Sequence, residues 1–366
     1  RGGGARGGGN SMTGIQGAND VARGEEGPTF LDRSRRGRVV VDGRSPDAML
    51  QGILTNRVPD PGRELEAGVS MGVGCYSAVL TAKGRLVTDL RVLPLGHAPG
   101  DGYLLEVPRE GMEPLLEHLA RFLPPRLARV RDRSAETGVL TVLGATGAAW
   151  LSREVLGLRV DEELLASLPE EGFVRLDEEG EVLLVIRTGE VAVPAWDVVA
   201  EAGVVSALRA RLQETGVQEL SGDRWEALRV QAGRPAMGAD MDGNTLLPET
   251  GLQERMVDHT KGCYTGQEVI VRIRDRGHVN RHLRWVLLGE TPGAPGMELF
   301  REGVERPVGS LTSVASLPGV GGGLALGYVR REVEPPAPLR LGSPRGPHVE
   351  VRAVEAGGWG RRLDRP

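Results

Sequence analysis

Lys261-Gly-Cys-Tyr-Thr-Gly-Gln-Glu268 sets a thiol beside a cation, between two glycines, and follows it with an amide and a carboxylate. Gly262 and Gly266 permit a tight turn or a close backbone approach to a ligand. Lys261 favours the thiolate of Cys263 electrostatically. Composition alone supports a plainer reading, a structural cysteine in a turn, because free cysteine usually packs as a small hydrophobe. Downstream, Arg272, Arg274, Arg276 and Arg281 add positive charge, and the 272/274 spacing predicts two guanidinium groups on one face of a strand. That patch suits an anionic ligand, with a solvated strand face as the alternative.

Around this segment the chain has the composition of a globular protein. Its 366 residues, 40% hydrophobic and 26% charged, suffice for two or three domains with cores of their own. A formal net charge of -5 argues against a protein that coats nucleic acid through a global positive field. No run approaches the ~18 apolar residues of a membrane span, and the start has neither a signal nor a transit layout, so the cytoplasm is the expected location. Cys75 and Cys263 are far apart and form no Cys-x-x-Cys or Cys/His set, which indicates reduced thiols and neither a disulfide nor a metal site. Cys75 opens an apolar run, where burial raises a thiol's pKa.

Residues 1–27 hold ten glycines and hardly any large apolar groups, and are predicted to be a disordered tail in which Met12 is a candidate initiator. A strand at 38–41 follows, then Ser45-Pro46-Asp47 opening a helix that runs to Thr55-Asn56. A hairpin joins 76–80 to 86–93 through Ala82-Lys83-Gly84, with a further strand at 103–107 and an amphipathic helix ending before Pro124-Pro125. A second unit has a strand at 139–143, a helix at 148–156, a hairpin of 173–176 with 182–186, a mostly helical pattern over 195–212 and a helix at 221–232. Short apolar runs at 283–288, 308–312, 324–329 and 349–354 predict a small C-terminal β-barrel. Gly319 to Gly323 lacks the Gly-Lys-Ser/Thr ending of a phosphate loop and reads as a hairpin loop.

The string from Arg234-Pro-Ala-Met-Gly-Ala-Asp-Met-Asp-Gly-Asn through Lys261–Glu268 to Arg276-Gly-His-Val-Asn-Arg281 resembles the folate-binding YgfZ family, relatives of the glycine cleavage T protein, an aminomethyltransferase. The family signature Lys-Gly-Cys-[Phe/Tyr]-x-Gly-Gln-Glu is matched without departure. The resemblance covers the chain from about Phe30. It implies an α+β fold of three domains in a ring: an N-terminal folate-binding domain at 28–137 completed by about 222–278, a second α+β domain at 138–221, and a small β-barrel at 279–366.

The resemblance also implies tetrahydrofolate or a one-carbon derivative as cofactor. It implies support of iron–sulfur cluster assembly or repair and of iron–sulfur-dependent tRNA modification, with iron–sulfur client enzymes and transient RNA contact as partners. Cys263, assisted by Lys261, is the expected functional thiol. Asp89 matches the aspartate that the T protein uses beside the folate; its neighbour in the T-protein Asp-Asp pair is replaced by Thr88. Arg229, in Leu228-Arg-Val-Gln-Ala-Gly-Arg234, matches an arginine of the folate site, where a guanidinium grips a carboxylate with a bidentate fork. Glu190, in Arg187-Thr-Gly-Glu190, stands near the folate-binding glutamate. An aminomethyltransferase of the glycine cleavage type, using Asp89, is the alternative, and an adaptor that docks a client through the Cys263 loop is a third reading.

Overall fold

The computed structural model describes residues 27–354, except 179 and 318–321. The glycine-rich tail, apart from Gly27, and most of the 319–323 loop therefore lie outside the described residues.

A first, antiparallel sheet runs in the order Cys75–Leu80, Leu86–Pro94, Tyr103–Val107, Gly37–Asp42, Arg129–Asp132. Strand residues alternate faces, and on Leu86–Pro94 that alternation separates two roles. Leu90 and Val92 share a core with Leu115 and Leu119 of the helix Arg109–Phe122. Thr88 faces the same helix so closely that a Cβ at Gly111 would fall 1.8 Å from its Oγ1. Asp89 and Arg91 point to the other side.

The second sheet has eight strands, ordered Gln218–Glu219, Thr29–Asp32, Thr137–Leu143, Ala195–Glu201, Glu181–Arg187, Gly172–Glu178, Val69–Val73, Arg63–Glu66. Thr29–Asp32, Arg63–Glu66 and Val69–Val73 precede residue 137 yet pair into it, so a boundary at 137/138 does not follow the sheets. Its core gathers Phe30, Leu140, Val185, Trp196 and Val198 against the flanking helices, and the Trp196 indole donates to Leu165 O at 3.0 Å.

The C-terminal part closes into the expected barrel, with six strands ordered Arg281–Gly289, Gly322–Arg330, Pro307–Leu317, Glu298–Phe300, Ala337–Leu341, His348–Ala353. The helix Gly222–Gln231 joins it to the rest: Trp225 and Leu228 pack against the second sheet, while Ala227 and Val230 pack against the barrel. Trp285 of the barrel donates its indole N–H to Val230 O at 2.8 Å. Met241, Leu247, Met256, Tyr264 and Ile270 bury themselves on Ala78, Leu80 and Leu86, so the segment after this helix packs onto the first sheet. No helix among the described residues is long and apolar enough to cross a membrane.

Three local expectations are corrected. The first helix stops at Gln51, and Leu54 instead bridges to Val79. Ala195–Glu201 is a strand hydrogen-bonded on both sides, with the helix Ala202–Glu214 only after it. Gln267–Arg276 is a helix, where a two-residue step turns roughly 200°, so Arg272 and Arg274 do not share a face.

That helix begins at Gly266, whose φ of +85° and approach to Thr81 O, 2.7 Å from a built Cβ, exclude a side chain. Gly262 has nothing within 4 Å of such a Cβ. Gly266→Ala is therefore expected to lower stability by ~1–3 kcal/mol, and Gly262→Ala by less than about 0.5 kcal/mol, in urea denaturation. Equal effects would show that Gly266 is not the glycine the turn requires.

Candidate functional site

A cavity of about 680 Å³ lies between the two sheets and the helix Gly222–Gln231. Asp89, Glu190 and Arg229, the three residues expected at a ligand site, all line it, together with Tyr76, Arg91, Glu171 and Trp225. None of its lining residues comes from the barrel.

Its floor is a network of buried charges. Arg91 bonds Glu106 and reaches Asp197 at 2.6 Å. Arg36 pairs with Glu106 and, at 3.6 Å, with Glu190. Arg33 pairs with Glu190 at 2.5 Å and Asp197 at 3.4 Å, and lies 4.2 Å over the Trp225 ring, fixing that helix to the floor. Burial would raise Glu190, but Arg33 and Arg36 outweigh it and hold the carboxyl below the usual range. Glu106 is held down in the same way by Arg91 and Arg36 against burial. Glu190 is thus an anionic strut between two arginines, with its charge already answered by the protein.

Two other carboxyls each have a buried oxygen that accepts no hydrogen bond. Asp89 Oδ2 accepts the Tyr76 hydroxyl at 2.6 Å, while Oδ1 is buried with no partner. Burial pushes its pKa up, against the Tyr76 hydrogen bond and Arg36. Glu171 Oε2 is likewise buried without a hydrogen bond, and Arg91 comes no nearer than 3.5 Å. Buried polar atoms normally find partners, so such orphans mark places where a ligand or water belongs. Sequence reasoning missed Glu171. It also missed Arg35 and Arg109, exposed lining residues with no partner among the described residues.

Arg229 is buried and differs from the expected free fork. Its Nε and one Nη2 proton go to Glu226, the other Nη2 proton to Ser313 of the barrel at 2.8 Å, and Nη1 serves Asp240 at 2.8 Å and Arg234 O. All five donors of a guanidinium are used. Asp240 in turn accepts from Ser313 and Thr312. Arg229 therefore rivets helix, loop and barrel behind the cavity wall.

Lys261 and Cys263 do not line the cavity. Lys261 is buried, and its ammonium donates to Leu54 O at 2.6 Å and Asn56 O at 2.7 Å. Burial lowers its pKa to about 8, and its ionisable neighbours are Cys75, Asp258 and Arg57. The expected partnership with the Cys263 thiol is thus replaced by a clamp on the 54–56 turn. In the same turn the Thr55 hydroxyl donates to Met256 O at 2.6 Å, and the Asn56 amide reaches Tyr76 O at 3.0 Å and Arg255 O at 3.2 Å. With Tyr264 buried and Gly266 wedged on the hairpin turn, the segment is fixed on both sides of an exposed Cys263. Cys75 is half-buried, and burial pushes its thiol up to about 12.

Comparison with known proteins agrees with this architecture. The aminomethyltransferase T of the Bartonella henselae glycine cleavage system superimposes with a TM-score of 0.74 over 93% of this chain and 88% of its own, at 16% identity. The Rubrobacter xylanophilus aminomethyltransferase is 26% identical over 88% of this chain and 80% of its own. The Klebsiella pneumoniae tRNA-modifying protein YgfZ is 27% identical over 70% of both. The chain is a relative of the aminomethyltransferases and of YgfZ. No protein-family model matches it. The three-part fold with its terminal barrel is that of the aminomethyltransferases.

Arg229→Met is expected to cost about 3–5 kcal/mol, because it leaves the buried Asp240 without its cation. Urea denaturation measures this, and a loss below ~1 kcal/mol would show that the five hydrogen bonds are not what holds the barrel joint.

Proposed function

We propose that the chain binds a reduced folate, tetrahydrofolate or a one-carbon derivative, in the central cavity. The observation that carries this is the orphaned Oδ1 of Asp89: the carboxyl is buried in a 680 Å³ cavity, held by Tyr76 through its other oxygen. A reduced pterin supplies the N–H donors that such an acceptor lacks. Outside, the unpaired Arg35 and Arg109 offer cations to the anionic glutamate tail. When bound, the folate brings one-carbon chemistry; the protein's part is to orient the ring through Asp89 and exclude water around it.

In this reading the protein supports iron–sulfur enzymes, including those that modify tRNA, and Cys263 is its functional thiol. The relationship to the tRNA-modifying protein YgfZ and the fixed, exposed setting of Cys263 support it. The second reading is aminomethyl transfer to folate, with Asp89 steering the amine. Thr88 does not count against it: that side chain faces the helix Arg109–Phe122, so an acid there would not enter the cavity.

Calorimetry is expected to show reduced-folate binding. Asp89→Asn should weaken it by about 1–2 kcal/mol, and Arg35→Ala with Arg109→Ala should weaken tetrahydrofolate but not a tail-less tetrahydropterin. Wild-type protein that binds no reduced folate would refute the proposal.

Alkylation at neutral pH is expected to label Cys263 much faster than Cys75, whose raised pKa leaves little thiolate. In a deletion strain, Cys263→Ser should fail to restore iron–sulfur enzyme activity while Cys75→Ser succeeds. Equal complementation would favour the adaptor reading.

A further inference from the structure

Glu171 combines three features that are each costly for the fold. Its φ is +62°, in the region that disfavours residues with a Cβ, and it immediately precedes a glycine that does not share that conformation. Its backbone cannot relax, because its N–H donates to Arg187 O and its carbonyl accepts from Gly74 N, both at 2.9 Å. Its carboxyl is buried, yet no residue among those described hydrogen-bonds to it. Strained backbone held by its surroundings is characteristic of functional positions, and a glycine would remove both the strain and the orphaned carboxyl.

The charge balance around it leads the same way. Arg33, Arg36 and Arg91 are matched by Glu106, Glu190 and Asp197 through the ion pairs of the floor. Glu171 joins that set only through Arg91, at 3.5 Å and without a hydrogen bond, Asp89 makes no ion pair with it, and both line the cavity. Resting on the folate reading of that cavity, we propose that Glu171 is a ligand-contacting residue whose carboxyl, with that of Asp89, receives the ring N–H groups of the bound reduced pterin. Two acceptor carboxyls in one cavity select a ring with several N–H donors over an oxidised one with fewer. Burial pushes the Glu171 carboxyl up to about 7 against the pull of Arg91, with Glu190, Glu106 and Asp197 adding to the rise, which is the condition of a group still waiting for its partner.

The experiment compares wild type, Glu171→Gly and Glu171→Gln in urea denaturation and in titration with tetrahydrofolate and with tail-less tetrahydropterin. Glu171→Gly is expected to keep or raise the denaturation midpoint while weakening both ligands by the same factor, about tenfold or more. Glu171→Gln, which keeps one acceptor, should fall between. A Glu171→Gly protein that binds both ligands like wild type, or that loses affinity and midpoint together, would overturn the inference and leave the folate reading standing. Absence of folate binding by the wild type would remove both.

Discussion

Two buried arginines, Arg33 and Arg91, and the half-buried Arg36 tie the two sheets together at the floor of the cavity. Arg91 comes from the first sheet and Asp197 from the second; Arg33 and Arg36, on the turn between Thr29–Asp32 and Gly37–Asp42, bridge to Glu190 and Glu106. Charges this deep are tolerated only when each has a partner and the remaining lone pairs are hydrogen-bonded. The Thr141 hydroxyl on Asp197, at 2.5 Å, is one of those supplementary bonds. Where an apolar cluster joins the sheets, with Leu93 and Leu104 against Val139, Phe173, Leu184 and Ile186, the space is closed by packing. An ionic joint instead keeps a polar opening, and whatever acceptors it leaves unmatched become the recognition surface.

Much of the fold was legible because several elements carry a plain local signal. Residues 76–80 and 86–93 are apolar-rich runs on either side of a Lys-Gly turn, and the barrel strands are short apolar runs between turns. Ala195–Glu201 hid because it is central: covered on both faces, it is buried at six consecutive positions and so has no period of two to read. Gln267–Arg276 hid for the opposite reason. Val269, Ile270, Val271 and Ile273 favour a strand locally, but Gly266 turns the chain left-handed against Thr81 and Ile270 enters the core, and tertiary contact overrides propensity.

The site was legible where a motif marks it and silent where only the fold does. Asp89, Glu190 and Arg229 converge on one cavity, yet sequence cannot show that Arg229 spends its donors on Glu226, Asp240, Ser313 and a carbonyl, or that Glu190 is already paired. Glu171 gives no signal at all, since it belongs to no repeat and its peculiarity is a backbone angle. Arg35 and Arg109 carry no motif either, and only the fold brings them to one cavity.

Cavity lining and thiol belong to one short segment of the chain, 252–263. Leu252 and Arg255 line the cavity, and Arg255 lies 5.2 Å over the ring of Tyr76, which holds Asp89. Met256 and Arg255 then give their carbonyls to Thr55 and Asn56, and Lys261 closes on the same turn from the other side. Cys263 follows, outside the cavity. The thiol is thus exposed to contact from outside the cavity. Tyr76 and Arg255 connect to the segment that carries Cys263 by two routes, through the 54–56 turn, whose carbonyls hold Lys261 in place, and through the apolar cluster on which Tyr76 and Tyr264 meet.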